Sequence, residues 1–230
     1  MPETIERIKP SIVAVGTYQK TRSPAFAFRG TGFAVGDGTL VTTNAHVLPG
    51  ELATQQREML VILTAAGGEL HPRQATQVAV SAAHDLALLR ISGPALPPLE
   101  LGDDALVREG EMFAFTGFPI GSVLGFVPVT HRGMVSAVTP IALPIATARQ
   151  LDPKVIRRVK DGVFPVFQLD ATAYPGNSGS PMYDMHTGRV VAIINMVFVK
   201  GTRESALTQP SGITFAIPVR HLRELMGTMP

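Results

Sequence analysis

Short runs of β-branched and aliphatic residues, each closed by glycine, proline or polar residues, recur along this chain. Such runs predict β-strands joined by tight turns. A Gly36-Asp37-Gly38 turn between two of the runs predicts a β-hairpin. In the first part of the chain the runs cover residues 11–18, 31–35, 39–42, 59–64, 75–80 and 86–91. Strands in this arrangement can close into one barrel.

A proline-containing stretch, residues 94–98, separates these runs from a second group of similar size. Two such groups predict an all-β fold: a single domain of two antiparallel six-stranded β-barrels, over about 1–95 and about 96–230. Residues 152–160 predict a short inserted helix and residues 219–226 a closing helix, because each is preceded or opened by proline. The second group of runs covers residues 111–116, 125–138, 163–169, 189–199 and 212–217.

Composition narrows the class of protein. Hydrophobic residues make up 45% of the 230 residues and charged residues 17%, with 22 glycines and 19 prolines, which is typical of a globular protein with many turns. The formal net charge of +2 gives no argument for nucleic acid or an anionic membrane as a partner. The longest apolar run, residues 190–199, is about half the ~20 residues that a membrane span needs, so no membrane span is expected.

The location of the protein is predicted from two absences in the sequence. The chain contains no cysteine, so no disulfide framework supports the fold. Charged residues at Glu3, Glu6, Arg7 and Lys9 leave no uninterrupted apolar segment of the kind that a signal peptide requires. We therefore expect a cytoplasmic location by default, with a periplasmic one if a signal segment was removed before residue 1.

The stretch Ala173–Pro181 contains a candidate nucleophile for acyl transfer. Gly176 and Gly179 allow backbone angles that a side chain resists, so the N–H groups of Gly176 and Ser178 can converge as an oxyanion hole. Each such donor typically stabilises the transition state by ~3 kcal/mol. Taken alone, this stretch is explained equally well as a glycine-rich turn of a β-protein.

A serine hydroxyl needs a base within hydrogen-bond reach, oriented in turn by a third group. His46 is the candidate base, because it follows a strand that can deliver it into a cleft, and Asp85 is the candidate orienting carboxylate. Taken singly, His46 as a core histidine and Asp85 as a strand cap are explanations at least as good. Other histidines lie among polar or turn residues and are predicted to be surface imidazoles: His71, His131, His186 and His221.

The order His46, Asp85, Ser178 resembles that of the chymotrypsin-like serine proteases. Closer still, the sequence is similar to the HtrA/Deg-type proteases in six motifs that follow the family's order. The motifs are Gly30-Thr31-Gly32-Phe33, Thr42-Thr43-Asn44-Ala45-His46-Val47, Asp85-Leu86-Ala87-Leu88-Leu89, Leu101-Gly102-Asp103, Pro175-Gly176-Asn177-Ser178-Gly179 and Phe215-Ala216-Ile217-Pro218.

This resemblance implies a role for each candidate residue. His46 would be the general base, Asp85 its orienting carboxylate and Ser178 the nucleophile, with the N–H groups of Gly176 and Ser178 as the oxyanion hole. We expect neither a metal ion nor another cofactor. The resemblance also implies a chymotrypsin-like fold and polypeptide substrates.

Substrate contacts follow from the same resemblance. Ile193, Ile194 and Asn195 would form the strand edge beside which an extended polypeptide pairs. Thr172, six residues before Ser178, would be the base of the primary specificity pocket. Because Thr172 is uncharged, we expect small or medium apolar side chains to be accepted there rather than basic ones.

The sequence also departs from the family's usual pattern. HtrA proteins usually carry PDZ domains after the protease domain, and none is expected in a chain that ends at Pro230. Ser180 stands where most members have glycine, and the segment 136–162 is longer than the family's usual connection. Association into homo-oligomers is compatible with the sequence but not indicated strongly, since Phe26 and Phe28 are only a faint counterpart of the aromatic residues in family trimers.

Two functions compete on these observations. The leading interpretation is a serine endopeptidase that acts on unfolded or extended polypeptides. The alternative is a protease fold that keeps its triad but serves mainly as a chaperone-like or scaffolding binder, with little or no turnover.

Overall fold

The computed structural model describes residues 1–66, 69–121, 125–140, 164–195 and 212–229. Within these residues, twelve strands form two closed antiparallel barrels of six strands each. The predicted pair of six-stranded barrels is therefore confirmed. The predicted helix at residues 152–160 lies outside the described residues.

The first barrel closes in the order β1-β2-β3-β6-β5-β4. The predicted hairpin joins β2 to β3, and Gly36 and Gly38 adopt φ of +64° and +83° in its turn, where a side chain would be strained. Buried aliphatic side chains such as Val15, Val41 and Leu89 fill the interior. The strands are β1 (Ile12–Tyr18), β2 (Phe26–Val35), β3 (Leu40–Asn44), β4 (Met59–Ala66), β5 (Glu69–Ser81) and β6 (Leu86–Ile91).

The second barrel closes in the order β10-β11-β12-β9-β8-β7. Its interior is more aromatic than that of the first, with Phe115 and Phe167 packed against Met182 and Ile194. The sequence did not predict β10, because four residues that begin with proline are too few to show an alternating pattern. The strands are β7 (Met112–Gly117), β8 (Val129–Pro140), β9 (Pro165–Asp170), β10 (Pro181–Asp184), β11 (Val190–Asn195) and β12 (Ile213–Pro218).

Two short α-helices flank the barrels in the part of the chain that the structure describes. The N-terminal helix α1 (Pro2–Ile8) was not predicted; it buries Ile8, and Thr4 Oγ1 donates a hydrogen bond to the backbone oxygen of Met185 at 2.9 Å. The closing helix α2 (Arg220–Gly227) lies within one residue of its predicted bounds. Neither helix in the described part of the chain has the length and apolar character that crossing a membrane would require.

Helix α2 follows the second barrel in sequence but packs on the first. Its buried residues Leu222 and Leu225 belong to one apolar cluster together with Leu86 and Leu88 of β6. The same cluster includes Ile193 and Ile217 of the second barrel. The two barrels thus share a continuous core, and the ends of β3 and β6 lie where this core meets the loop before β10.

Candidate active site

His46, Asp85 and Ser178 meet at the junction of the two barrels. His46 lies in a 3-10 turn directly after β3, and Asp85 directly precedes β6. Because β3 and β6 are neighbours, with Asn44 opposite Leu86, the two residues leave the first barrel at the same end. Ser178 lies in the second barrel's loop between β9 and β10.

The three side chains form one hydrogen-bonded chain. His46 Nδ1 lies 2.6 Å from Asp85 Oδ2, and His46 Nε2 lies 3.0 Å from Ser178 Oγ. The backbone N–H of His46 also donates to Asp85 Oδ1 at 2.9 Å. With Nδ1 as donor, Nε2 is left as the acceptor for the serine hydroxyl, which is the tautomer that proton removal from Ser178 requires.

The carboxylate of Asp85 is almost fully buried, with 3% of the residue exposed. Burial works against its ionisation, but hydrogen bonds from His46 and Asn195 and attraction to the His46 charge outweigh burial and lower the pKa of Asp85. The carboxylate is therefore ionised at neutral pH, where it can stabilise a positive charge on the imidazole ring.

The backbone of Asp85 adopts φ of +51°, a left-handed conformation that is uncommon outside glycine. The Asp85 carbonyl oxygen accepts hydrogen bonds from Ala45 N–H at 3.0 Å and from Asn44 Nδ2 at 3.1 Å. These contacts join the turn before β6 to the end of β3. The segment that carries His46 therefore also stabilises the strained backbone conformation of Asp85.

The side chain of Asn195 lies inside the molecule. It is fully buried, and Nδ2 donates to Asp85 Oδ2 at 2.7 Å. The substrate contact predicted for Asn195 stays a prediction, and the structure adds a contact of its side chain with the carboxylate of the first barrel. The feature of the sequence that could have indicated this contact with Asp85 is an asparagine at the end of an otherwise apolar strand.

Ile193 and Ile194 were predicted on the same edge, and this placement needs correction. Both side chains are fully buried in the apolar clusters of the barrels. Their backbone pairs with β12 on one side, while on the other Gly179 N–H donates to Ile194 O and Ile194 N–H donates to Ser180 O, each at 2.9 Å. An extended substrate therefore finds no free backbone here. Residues 196–211 lie outside the described residues.

A tight turn precedes the serine. Asn177 N–H donates to Tyr174 O at 3.0 Å, Pro175 takes the second position, and Gly176 takes the third with φ of +105°, as type II turns require. A Cβ at Gly176 would lie 2.3 Å from the backbone oxygen of Phe118, so only glycine fits. The unusual backbone angles predicted for Gly176 are present, and Gly179, with φ of +88°, shares them.

Thr31 of β2 fastens this turn to the first barrel. Its N–H donates to Ser178 O at 2.9 Å, and its Oγ1 donates to Gly176 O at 2.7 Å. The same Oγ1 accepts the N–H of Phe118 at 3.1 Å, and the Thr31 carbonyl accepts Thr43 Oγ1 at 2.7 Å. The sequence assigned no role to this fully buried residue, although it stands in a motif that resembles the family's.

Ser180 is accommodated by a glycine on a neighbouring strand. Both Ser180 and Asn177 are fully buried behind the nucleophile. A Cβ at Gly117, the last residue of β7, would lie 2.0 Å from Ser180 Oγ and 2.9 Å from Asn177 Oδ1. The absence of a side chain at Gly117 thus provides the room that a serine needs at position 180.

The remaining histidines differ in their surroundings. His71 and His186 are exposed as predicted, but His131 is half-buried against Phe115 and His221 is 8% exposed, so the surface location predicted for these two was wrong. Packing of α2 on the first barrel covers His221. Its ring stacks on that of His84, and burial, with a smaller repulsion from His221, lowers the pKa of His84.

Thr172 is half-buried in the loop after β9. Its assignment to the primary specificity pocket stays a prediction, because part of that region lies outside the described residues.

The fold and this arrangement of side chains are those of a chymotrypsin-like peptidase domain. Residues 30–193 match the trypsin-like peptidase domain family, and this match covers His46, Asp85 and Ser178. The chain belongs to that family.

Curated proteins of similar sequence show which members of this family the chain resembles. The chain is 29% identical over 201 residues to a "Probable periplasmic serine endoprotease DegP-like" of Pseudomonas putida (strain W619), which covers 87% of this chain and 36% of the relative. A protein of the same description from Halomonas elongata is 31% identical over 190 residues, covering 83% and 32%. "Serine protease HTR4" of Bos taurus is 29% identical over 233 residues, covering 97% and 40%. The chain thus spans between 32% and 40% of the length of these relatives.

Solved structures agree on the fold. "HtrA-type protease AlgW with tripeptide" superposes with a TM-score of 0.69 at 24% identity, covering 99% of this chain and 62% of the other. "Crystal structure of Deg5" superposes with a TM-score of 0.67 at 22% identity, covering 97% and 90%. The resemblance to the HtrA/Deg-type proteases and the chymotrypsin-like fold are both confirmed. The cytoplasmic default gains no support, since the bacterial relatives are described as periplasmic.

Proposed function

We propose that this chain is a serine endopeptidase that cleaves extended polypeptides through an acyl-enzyme intermediate. The observation that carries the proposal is the hydrogen-bonded chain from Asp85 through His46 to Ser178. A serine hydroxyl is a weak nucleophile at neutral pH. His46 supplies the base and Asp85 the orienting carboxylate that activation of Ser178 requires.

The first half of the reaction is acylation. His46 Nε2 removes the hydroxyl proton as Ser178 Oγ attacks the substrate carbonyl carbon, while Asp85 stabilises the imidazolium that forms. The N–H groups of Gly176 and Ser178 donate to the oxygen that becomes negatively charged. His46 then transfers the proton to the peptide nitrogen and the C–N bond breaks. The amine product leaves, while the substrate's acyl group stays bound to Ser178 as an ester.

The second half is deacylation. Water gives a proton to His46 Nε2 and attacks the ester carbon, with the same N–H groups stabilising the oxyanion. The proton returns to Ser178 Oγ as the ester bond breaks, which restores the free enzyme and releases the carboxylic acid product.

A preference for small or medium apolar side chains beside the cleaved bond extends this proposal. An arginine or lysine placed over the uncharged Thr172 would lose hydration without gaining a carboxylate, at a cost of several kcal/mol. Mass-spectrometric mapping of the cleavage sites in a denatured protein tests this preference. Predominant cleavage after basic or acidic residues would contradict it.

The test of the activity is turnover of unfolded casein together with labelling by a fluorophosphonate. We expect the wild-type protein to degrade casein and to take up one label per chain, and Ser178→Ala to do neither. If both proteins bind casein equally and neither cleaves it, the chain is a chaperone-like binder and the proposal fails.

We further propose a periplasmic location, by analogy with the bacterial relatives. Fractionation of cells that express the natural reading frame tests this point. Recovery of the protein with cytoplasmic markers only would contradict it.

A further inference from the structure

A second cluster of ionisable side chains adjoins Asp85 without including it. His84 directly precedes Asp85 in the turn between β5 and β6, whereas His221 and Glu224 stand three residues apart on α2. The potential ligand atoms of these three side chains all lie within 4.8 Å of one another. The cluster therefore joins the first barrel to the last helix of the chain.

The two imidazole rings lie face to face. Their centroids are 3.9 Å apart and their planes differ by 16°, and Phe164 packs edge-on against both rings, at 4.8 Å from His84 and 4.9 Å from His221. His221 Nδ1 lies 3.0 Å from Glu224 Oε2, and His84 Nδ1 lies 3.0 Å from Ser81 Oγ. Each ring thus has a separate polar partner, and no hydrogen bond joins the rings.

We propose that His84, His221 and Glu224 form a binding site for a transition-metal ion, with Zn²⁺ as the preferred ion. Zn²⁺ binds both imidazole nitrogen and carboxylate oxygen, whereas Ca²⁺ and Mg²⁺ prefer oxygen ligands, so the two imidazoles favour Zn²⁺. Three protein ligands leave a fourth tetrahedral position for water.

The separation of the donor atoms fits this ion. Tetrahedral Zn²⁺ with bonds of about 2.0 Å holds its ligand atoms about 3.3 Å apart. His221 Nδ1 and Glu224 Oε2, at 3.0 Å, are close to that separation already, and the ion takes the place of the proton between them.

His84 supplies the third ligand after a small movement. The lone pairs of imidazole lie in the ring plane, so two nearly parallel rings do not point at a common ion. The His84 ring must therefore tilt out of the stack. It is half-buried, and the only side-chain hydrogen bond of its ring in the described part of the chain goes to the Ser81 hydroxyl, which can rotate away.

Binding at this site stabilises the fold by mass action. The ion bonds to residues of both the first barrel and α2, an arrangement that does not exist in the unfolded chain, so it binds the native state selectively. The site is independent of the peptidase activity, and its test does not require turnover.

Zn²⁺ titration of the Ser178→Ala protein, which cannot digest itself, tests the proposal by calorimetry and by thermal unfolding. We expect Zn²⁺ to bind with one ion per chain at this site and to raise the melting temperature. His221→Gln and Glu224→Gln should each weaken binding at least tenfold and abolish the thermal shift. His186→Gln, at an exposed histidine, is the matched control and should bind as the parent does.

X-ray absorption of the Zn²⁺-loaded protein is the second measurement, and it keeps the test decisive if a variant unfolds. Two imidazoles and a carboxylate in the first coordination shell are expected. Unchanged affinity in His221→Gln and Glu224→Gln would overturn the proposal, as would loss of binding in His46→Ala alone, which would place the ion on the triad.

Discussion

The two barrels contribute to one site by different means. His46 and Asp85 stand at the ends of β3 and β6, so the register of two neighbouring strands sets their separation. Ser178 instead stands in a loop of the second barrel, and the shape of that loop depends on hydrogen bonds from Thr31 of the first. The base and its carboxylate are thus positioned within one barrel, whereas the nucleophile is positioned by a contact between barrels.

Removing the Ser178 hydroxyl from the second barrel or the His46 imidazole from the first should lower kcat by similar factors, and these are the largest effects that we expect. We expect Ser178→Ala and His46→Ala each to lower kcat by several orders of magnitude, and the double variant to be little worse, since the triad acts as a unit. Single-turnover kinetics on a peptide ester measures this, with circular dichroism as the control for folding. A double variant far slower than both singles would contradict the coupling.

Thr31→Val should break the contact between barrels while leaving the triad residues unchanged. Valine keeps the shape but removes the hydroxyl between Gly176 O and Phe118 N–H, so the turn before Ser178 loses its support. We expect kcat to fall by roughly 10²-fold, as for loss of one oxyanion-hole donor, with KM little changed.

Two controls sharpen this result. Thr31→Ser keeps the hydroxyl and should retain most of the activity. Thr17→Val removes the hydroxyl of another buried threonine of the first barrel, which bonds Glu58 at 2.6 Å, and should affect stability only. Equal losses of kcat in Thr31→Val and Thr17→Val would mean that Thr31 acts on stability alone.

Asn195→Leu tests the hydrogen bond that Asn195 of the second barrel donates to Asp85 of the first. The substitution removes a donor to a buried carboxylate, so we expect about tenfold lower kcat and about 1–3 kcal/mol lower stability at pH 7. The contact helps to hold the pKa of Asp85 below its ordinary 3.8. Its contribution is therefore present above pH ~4 and shrinks as the pH falls through the lowered pKa. Urea unfolding across this range measures it, and a pH-independent loss would point to packing alone.

Glu58→Gln, within the first barrel and away from the site, should have the smallest effect. Hydrogen bonds from Thr17, Ala53 N–H and Arg22 lower the pKa of Glu58 to about 2. We expect about 1 kcal/mol lower stability at pH 7, narrowing between pH ~4.5 and ~2, and unchanged kcat. Thermal unfolding at several pH values measures the difference. A change in kcat would show that this edge of the barrel does influence the site.

The sequence predicted best what local pattern determines. Strand positions and the hairpin at Gly36 follow from runs of side chains, and the placement of His46 and Asp85 follows from their position at strand ends. Helix α1 and strand β10 were missed because they are too short for a periodic signal. The roles of Thr31 and Asn195 depend on contacts with residues more than 100 positions away, which no local pattern encodes. An apolar strand such as residues 193–195 likewise does not reveal which of its sides is already paired.

The close approach of Gly117 to Ser180 affects the order in which substitutions at these two positions can accumulate during evolution. A methyl group at position 117 would lie 2.0 Å from the Ser180 hydroxyl and 2.9 Å from both Asn177 Oδ1 and Thr31 Oγ1, so alanine there requires these side chains to move. Glycine at position 180 would remove the closest of these contacts and leave the other two. A lineage that starts from this sequence therefore meets fewer clashes if it loses the hydroxyl before it gains a side chain on β7, because the reverse order requires Ser180, two residues after the nucleophile, to move first.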